Sequence, residues 1–260
     1  MCEFFSCIVM KDKSVVWEAG LNQHHEILEK YKIADKTSDQ AKMAFARVEI
    51  LPPEGDVFEK DMDKWKFRVD ERITPEWFSP AHKDAAFLSL KECLISCLVE
   101  IDTDTITDKK GLFLRNATIG RLVNSTVQEM WGSSTVQEMW GSSTVQEMWG
   151  SSTVQEMWGS STVQEMWESS TVQKMYDRST VQKMYESSTV QEMWESSTVQ
   201  KMYDRSTVQK MLESSTVQKM LESSTVCVYS NDVTFKIASK MAVAICRILG
   251  ELVINTMVDK

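Results

Sequence analysis

Few residues of this 260-residue chain have types and spacings that could do chemistry. Cys2 is the sharpest case. Once Met1 is removed, its α-amino group could act as base for its own thiol, the logic of N-terminal nucleophile hydrolases. The competing reading, a small residue at the edge of a buried strand, is favoured, because the non-repetitive head is too short for that fold's two sheets and two helix layers. His24 and His25 are adjacent, so on a helix they point about 100° apart and do not readily share a metal. His82 with Cys93 and Cys97 completes a conceivable metal set. The two cysteines are four apart on one helix face, but in an apolar stripe such pairs are more often packing. No Cys-x-x-Cys, His-Glu-x-x-His, calcium-loop or glycine-rich phosphate-loop spacing occurs. No catalytic, cofactor-binding or metal residue is therefore assigned, and the chain is expected to be no enzyme and to need no cofactor.

The elements that would position any site fall into two parts. Residues 1–105 read as a compact α+β head: a strand over residues 3–10, its hairpin partner Ser14–Glu18, a short helix from Asn22 to about Tyr31, an alternating half-buried strand Phe45–Ile50, and a strand carrying Trp65, Phe67 and Val69. Ser79 followed by Pro80 starts a longer helix, with Ala81, Ala85, Leu88, Cys93, Ile95 and Leu98 on its expected buried side. Asp102–Lys110 reads as a polar linker, and 106–124 as linker plus an imperfect first repeat around Thr118, Ile119 and Leu122.

From Ser125 to Val226 a nine-residue unit, Ser-Thr-Val-Gln-Glu-Met-Trp-Gly-Ser in its first form, recurs without a break. A strict short period is the mark of a repeat architecture, and Thr, Val, Trp and Tyr favour strand. Alternation places Ser and Val on one face, Thr and Gln on the other. Val and Met are three apart, so the alternation slips once between them, at a corner or bulge that returns Met to the inside. The expected fold is mainly β: a parallel β-solenoid with a core of Val136, Met139, Val145, Met148, Val154, Met157, Val163, Met166, Val172 and Met175. The outward aromatic rank is Trp131, Trp140, Trp149, Trp158, Trp167, Tyr176, Tyr185, Trp194 and Tyr203. One unit is too short to close a coil. Coils of 18 residues sort the charges (Glu129, Glu147, Glu165, Lys183, Lys201, Lys219) and the aromatics into blocks, which favours them over coils of 27.

Residues 227–260 read as a C-terminal cap. Met241–Val258 is strongly apolar and, as one strand segment, would be buried on both faces. A homodimer or higher oligomer through residues 226–258 is expected, with Val243, Ile245, Ile248, Leu252 and Ile254 at the interface. The net charge of -9 argues against a nucleic-acid-binding face. No run of about 18 apolar residues would span a membrane. Scattered cysteines, reduced and buried, and the lack of a signal peptide point to a cytoplasmic protein. The outward Thr column lacks the second Thr rank of an ice-binding face. The aromatic rank could stack sugars or a partner's side chains, although self-stacking is favoured.

Met1–Val9, His25-Glu26, Arg47–Ile50 with Pro52-Pro53, Trp65, Val69-Asp70 and Thr74–Phe78 resemble the head of uncharacterised proteins from phages and gut bacterial mobile elements. There the head precedes Ser-Ala-Thr-Val-Gln-like nonapeptide repeats. The resemblance covers nearly the whole chain and departs where Ser replaces Ala and Met replaces the second Val. It implies no catalytic residues. It does imply a phage or mobile-element origin and a bacterial host cytoplasm. The resulting expectation is a non-enzymatic scaffold or binding protein acting through its repeat surface or by oligomerisation, with a host protein as a conceivable partner. The alternatives are a small enzymatic or ligand-binding head around Cys2 and His25, with the solenoid as spacer, and an acidic decoy for a nucleic-acid-binding host protein.

Overall fold

A computed structural model describes residues 5–34, 44–248 and 251–256. The chain divides into two compact units, Met1–Leu98 and Val99–Lys260.

The first unit holds a four-stranded antiparallel sheet in the order β2-β1-β3-β4, from β1 (Phe5–Met10), β2 (Val15–Val16), β3 (Phe45–Leu51) and β4 (Lys66–Val69). Helix α1 (His24–Lys30) buries Ile27 and Leu28, which cluster with Ile8 and Phe45. Helix α2 (Pro80–Cys97) starts at Ser79-Pro80 as read from the sequence. Its buried stripe is His82, Ala86, Leu90, Cys93, Leu94 and Cys97, so the face predicted from Ala81, Ala85, Leu88, Ile95 and Leu98 is corrected: Leu88 and Ile95 are exposed. The helix is apolar on most sides, which leaves periodicity little to choose with. The buried stripe begins at His82, whose ring is fixed at both nitrogens.

The second unit is a parallel β-solenoid of 18-residue coils with two flat sheets. Each nonapeptide contributes one strand, from β9 (Thr126–Trp131) to β19 (Thr216–Met220), and strands pair with the next but one. Register is identity on identity: Thr135 opposite Thr153, Val136 opposite Val154, Met139 opposite Met157. Thr, Gln and the following charged residue face out, while Val and Met are fully buried in every copy from Val127 to Met220. Each such side chain contributes about 1.5–3 kcal/mol before entropy. The core therefore consists of stacked Val and Met columns in one cluster.

The array extends beyond the perfect repeats at both ends. The Asp102–Lys110 linker is a correction: β6 (Thr103–Thr107) pairs in parallel with β8 (Thr118–Val123), and β5 (Leu98–Val99) and β7 (Leu112–Arg115) belong to the other sheet. Thr103, Thr105 and Thr107 are β-branched, and Ile106 packs against the Val/Met core. Residues 106–124 are thus coil. Thr118, Ile119 and Leu122 stand opposite Thr135, Val136 and Met139. At the other end β20 (Thr225–Val228), β21 (Thr234–Ile237) and β22 (Val243–Ile248) continue the coils. The single apolar segment expected over Met241–Val258 is also corrected. It is two strands, β22 and the antiparallel β23 (Glu251–Thr256), which covers the free edge of β22. Met241 is exposed, Ala242 and Ala244 are buried, and Val243 and Ile245 are half-buried, because alternation turns Ala242, Ala244 and Cys246 toward the core. The side chains of Ile248, Leu252 and Ile254 lie outside the described residues.

A four-residue turn closes each side of a coil; in one, the Ser152 amide donates to the Trp149 carbonyl at 3.3 Å. The residue after the aromatic takes the left-handed conformation, with φ of +67° at Gly150 and +56° at Glu168. Glycine accepts this freely. The seven acidic residues that replace it from Glu168 to Glu222 (Glu168, Asp177, Glu186, Glu195, Asp204, Glu213 and Glu222) do so at a cost of about 1–2 kcal/mol each. Several of their carboxylates reach back one coil and accept a backbone amide, as Glu195 does from Asp177 at 2.7 Å and Glu222 from Asp204 at 2.9 Å. Charge-assisted bonds of this kind offset the backbone cost.

Beside each corner a fully buried serine points inward. Ser188 Oγ donates to the Tyr185 carbonyl at 2.7 Å, whereas the Oγ of Ser170 has no partner. Ser170→Ala should therefore stabilise the protein by about 0.5–1 kcal/mol, and Ser188→Ala should cost about 1 kcal/mol. Urea unfolding midpoints of the two variants check the contrast, and equal shifts would contradict it.

Candidate functional site

Among the described residues of the head, His25, His82 and the Cys93/Cys97 pair, singled out from the sequence, do not form one site. Cys2 lies outside the described residues. His25 is exposed on α1. His82 serves its helix: the Ser79 amide donates to Nδ1 at 3.1 Å, Nε2 stands 3.1 Å from the Lys11 carbonyl, and the ring packs on Trp77 and Phe78. Cys93 and Cys97 are free thiols 4.0 Å apart. The Cys97 thiol is held well above its ordinary range by its hydrogen bond to Cys93 and by burial, and the Cys7 thiol by burial alone. Neither is activated as a nucleophile.

One polar cluster in the head was not legible in advance. His24, Glu49 and Asp70 place ligand-type atoms within 4.8 Å of one another. His24 Nε2 lies 3.1 Å from the Val48 carbonyl, and Nδ1 faces Asp70 Oδ2 at 3.4 Å. Glu49 is almost fully buried, although strict alternation in its strand would turn it outward, and it is paired with Arg68. The donor set suits a divalent cation, but the Arg68 guanidinium already occupies Glu49. Arg68 thus pairs with Glu49, and His24 bridges the Val48 carbonyl and Asp70. That is the pattern of a charge network tying α1 to the sheet. Elsewhere in the head an open depression of about 470 Å³ is lined by residues that include Trp65, Lys83, Phe87 and Lys91.

The extended feature of the molecule is the outside of the solenoid. On each flat sheet the Thr, Gln and charged columns run along the coils in register. In the sheet containing β8 the charged column reads Arg121, Glu138, Glu156, Lys174, Glu192, Lys210. It pairs internally: Arg121 with Glu138 at 3.0 Å, Lys174 with Glu156 and Lys210 with Glu192 at 3.3 Å each. Hydrogen bonds from Trp140 and then Arg121 hold the Glu138 carboxyl below its usual range. In the sheet containing β9 the column reads Glu129, Glu147, Glu165, Lys183, Lys201, Lys219. Its one ion pair among the described residues is Lys183 with Glu165 at 2.7 Å, and that hydrogen bond raises the Lys183 pKa. Burial raises the Glu129 carboxyl, the Trp131 indole opposes the rise, and Glu147 adds to it.

Eight of the nine residues of the predicted aromatic rank stack on one another in two ladders at the corners, while Trp194 has Lys210 Nζ 5.5 Å from its ring centroid. Trp131, Trp149, Trp167, Tyr185 and Tyr203 form one, with centroids 4.0–5.8 Å apart; Trp140, Trp158 and Tyr176 form the other, with Arg121 over Trp140. Within the ladders the inner rings spend their faces on one another, and the end rings Trp131 and Trp140 are the most exposed. Five tryptophans, at 131, 140, 149, 158 and 194, donate the indole N–H to the glutamate two residues earlier. The second neglected feature is the acidic corner column Glu168, Glu186, Asp204, Glu222, which lines a shallow groove with Ser169, Ser187, Arg205 and Ser223. Its signal was present in the sequence as Glu or Asp replacing the corner Gly.

No protein-family model, no curated protein and no solved structure matches this chain. No helix among the described residues is long and apolar enough to cross a membrane.

Proposed function

We propose that this protein is a non-enzymatic β-solenoid that acts as a scaffold or binding protein through the flat outer faces of its repeats. The observation that carries this reading is the in-register stacking of identical Thr and Gln residues, beside a column of charged ones, on both sheets. It yields rigid polar surfaces whose side chains recur at one coil spacing of about 4.8 Å. A surface of that kind recognises a partner by repetition rather than by a pocket. The resemblance of the head and repeats to phage and mobile-element proteins supports a bacterial cytoplasm as the place of action. The test is affinity capture from bacterial lysate with the full chain and with a full-chain variant carrying Gln→Lys at 155, 173 and 191. A protein bound specifically by the first and lost by the second supports the reading. Capture unaffected by these substitutions, and mapped to the head, overturns it.

A second reading, an acidic decoy for a nucleic-acid-binding protein, draws on the corners. Lysines interrupt both flat faces, but the corner positions from Glu168 to Glu222 are acidic throughout. Competition with DNA for a captured partner, abolished by neutralising Glu186 and Asp204, would favour it over the first.

A further inference from the structure

The two flat faces carry nearly the same residues, yet their charge order differs in a way that selects a partner. On the sheet containing β9 the column runs Glu129, Glu147, Glu165, then Lys183, Lys201, Lys219, with neighbours in parallel register. Like charges are therefore stacked on like for most of its length. Only the junction, Glu165 with Lys183, is an ion pair within the chain. The column is acidic at one end and basic at the other, and it is self-complementary when reversed.

We propose that this face binds a second copy of the chain with the solenoid axes antiparallel. The two-fold axis lies along the strand direction, between the coils of Glu165 and Lys183. A rotation about that axis keeps each column opposite itself and inverts its order. Glu129 then meets Lys219 of the other copy, Glu147 meets Lys201 and Glu165 meets Lys183, each twice. Because the coil spacing is the same in both copies, all six contacts come into register together. The Thr and Gln columns are identical in every coil, so the same operation places Thr against Thr and Gln against Gln. Homodimers of this isologous kind require such self-complementarity.

The opposite face fails the same operation. Reversed about its centre, Arg121 would face Lys210 and Glu138 would face Glu192, like charge on like. That column is instead satisfied within its own chain by three ion pairs. At the central register the charge order thus favours the face of β9, whose six contacts are all opposite in sign, over the other, where only Glu156 with Lys174 is.

Six coils at about 4.8 Å and strands of five residues at about 3.3 Å give roughly 500 Å² per copy, or about 1,000 Å² in total. That is the lower bound of a specific interface, so the association is weak and salt-sensitive. The proposal deepens the binding-surface reading above and rests on it. It moves the self-association expected of residues 226–258 to the middle of the solenoid.

The test is sedimentation equilibrium of the full-length protein at low and high salt. The wild type should dimerise at 50 mM salt and dissociate at 0.5 M. Glu129→Lys with Glu147→Lys leaves four repulsive pairs across the two-fold and should weaken the dimer about 100-fold or more. Lys201→Glu with Lys219→Glu should do the same. An equimolar mixture of the two variants restores all six opposite-charge pairs, so it should form a heterodimer at least as readily as the wild type. This rescue separates the interface from any effect on folding. A control pair on the other face, Glu192→Lys with Lys210→Glu, should leave the association unchanged. A wild-type dimer indifferent to the reversals overturns the proposal in favour of the C-terminal hairpin, and failure of the mixture to associate overturns it outright. A wild type that stays monomeric at high concentration also overturns it, while the lysate capture above still decides the binding-surface reading independently.

Discussion

Val172→Asp should abolish the solenoid at room temperature, while Gln173→Lys, one residue along, should leave stability within about 0.5 kcal/mol. Val172 is fully buried in the middle of the array, in register with Val154 and Val190 on the two adjoining coils. The substitution removes about 2 kcal/mol of apolar burial. It also places a carboxylate where the inward neighbours are Val, Met and Ser, at a further cost of several kcal/mol. The sum is on the order of 5 kcal/mol or more, comparable with the whole stability of many domains. Coils contact only their neighbours, so a defect in the centre strikes two coil interfaces at once. Gln173 points outward and half-exposed, where a lysine is already tolerated in the adjacent column. Far-ultraviolet circular dichroism with a thermal melt reads both variants. A Val172→Asp protein melting within a few degrees of wild type would sink this account of the core.

The second large effect is expected in the aromatic ladder. Trp167 is sandwiched between Trp149, at 5.1 Å and 3° between planes, and Tyr185, at 4.0 Å and 12°. Trp167→Ala should cost about 2–4 kcal/mol: two stacked contacts at about 0.5–1.5 kcal/mol each, together with the apolar area of a half-buried ring. Trp167→Phe should behave differently. It keeps an aromatic in the stack and deletes an indole N–H that, unlike those of Trp131 and Trp149, has no partner. Its stability should equal or slightly exceed that of wild type. Guanidinium unfolding of the two variants decides the matter: if Ala and Phe were equally destabilising, the indole nitrogen rather than the stack would be the important group.

Much of the solenoid was legible because one unit repeats. Each copy restates which residues alternate, and the Val-to-Met spacing of three forces two successive outward residues between them. The 18-residue period also lay in the sequence, in the ordering of Glu129 to Lys219, although the companion column from Arg121 to Lys210 alternates at the same spacing. The ends were harder to read. Thr103–Thr107 is polar by composition and strand by β-branching, and its pairing with β8 decides the outcome. The Met241–Val258 run could not reveal its own reversal, since both its strands are apolar and no Asn-Gly or Asp-Gly marks a turn. In the head, helix α2 offered apolar residues on most sides, and only the long-range contact of His82 with the Lys11 carbonyl marks the inner one. The His24, Glu49 and Asp70 cluster joins residues 21 to 46 positions apart in sequence, and no local spacing announces it. As for the binding face, the charge columns could be written down from the sequence. Their value as a surface came from knowing that the two sheets are separate and flat.

The constant offset between paired strands bears on how the molecule comes into being. Through most of the array every strand contacts the one 17 or 18 residues behind it, in parallel and in register. A chain emerging from a ribosome can therefore complete each turn as soon as it is made, with no later segment required. Loop closure stays short and equal at every step, which favours fast, sequential folding. The corner carboxylates work in the same direction, since Glu195 and Glu222 complete amides that the preceding turn left open. Throughout synthesis the newest strand is a bare template for any other nascent copy. On one of the two sheets that template is covered when Glu251–Thr256 folds back on Val243–Ile248, whereas the other sheet ends at Thr234–Ile237. Translation cut short before the hairpin would leave the last strand of each sheet open to pairing.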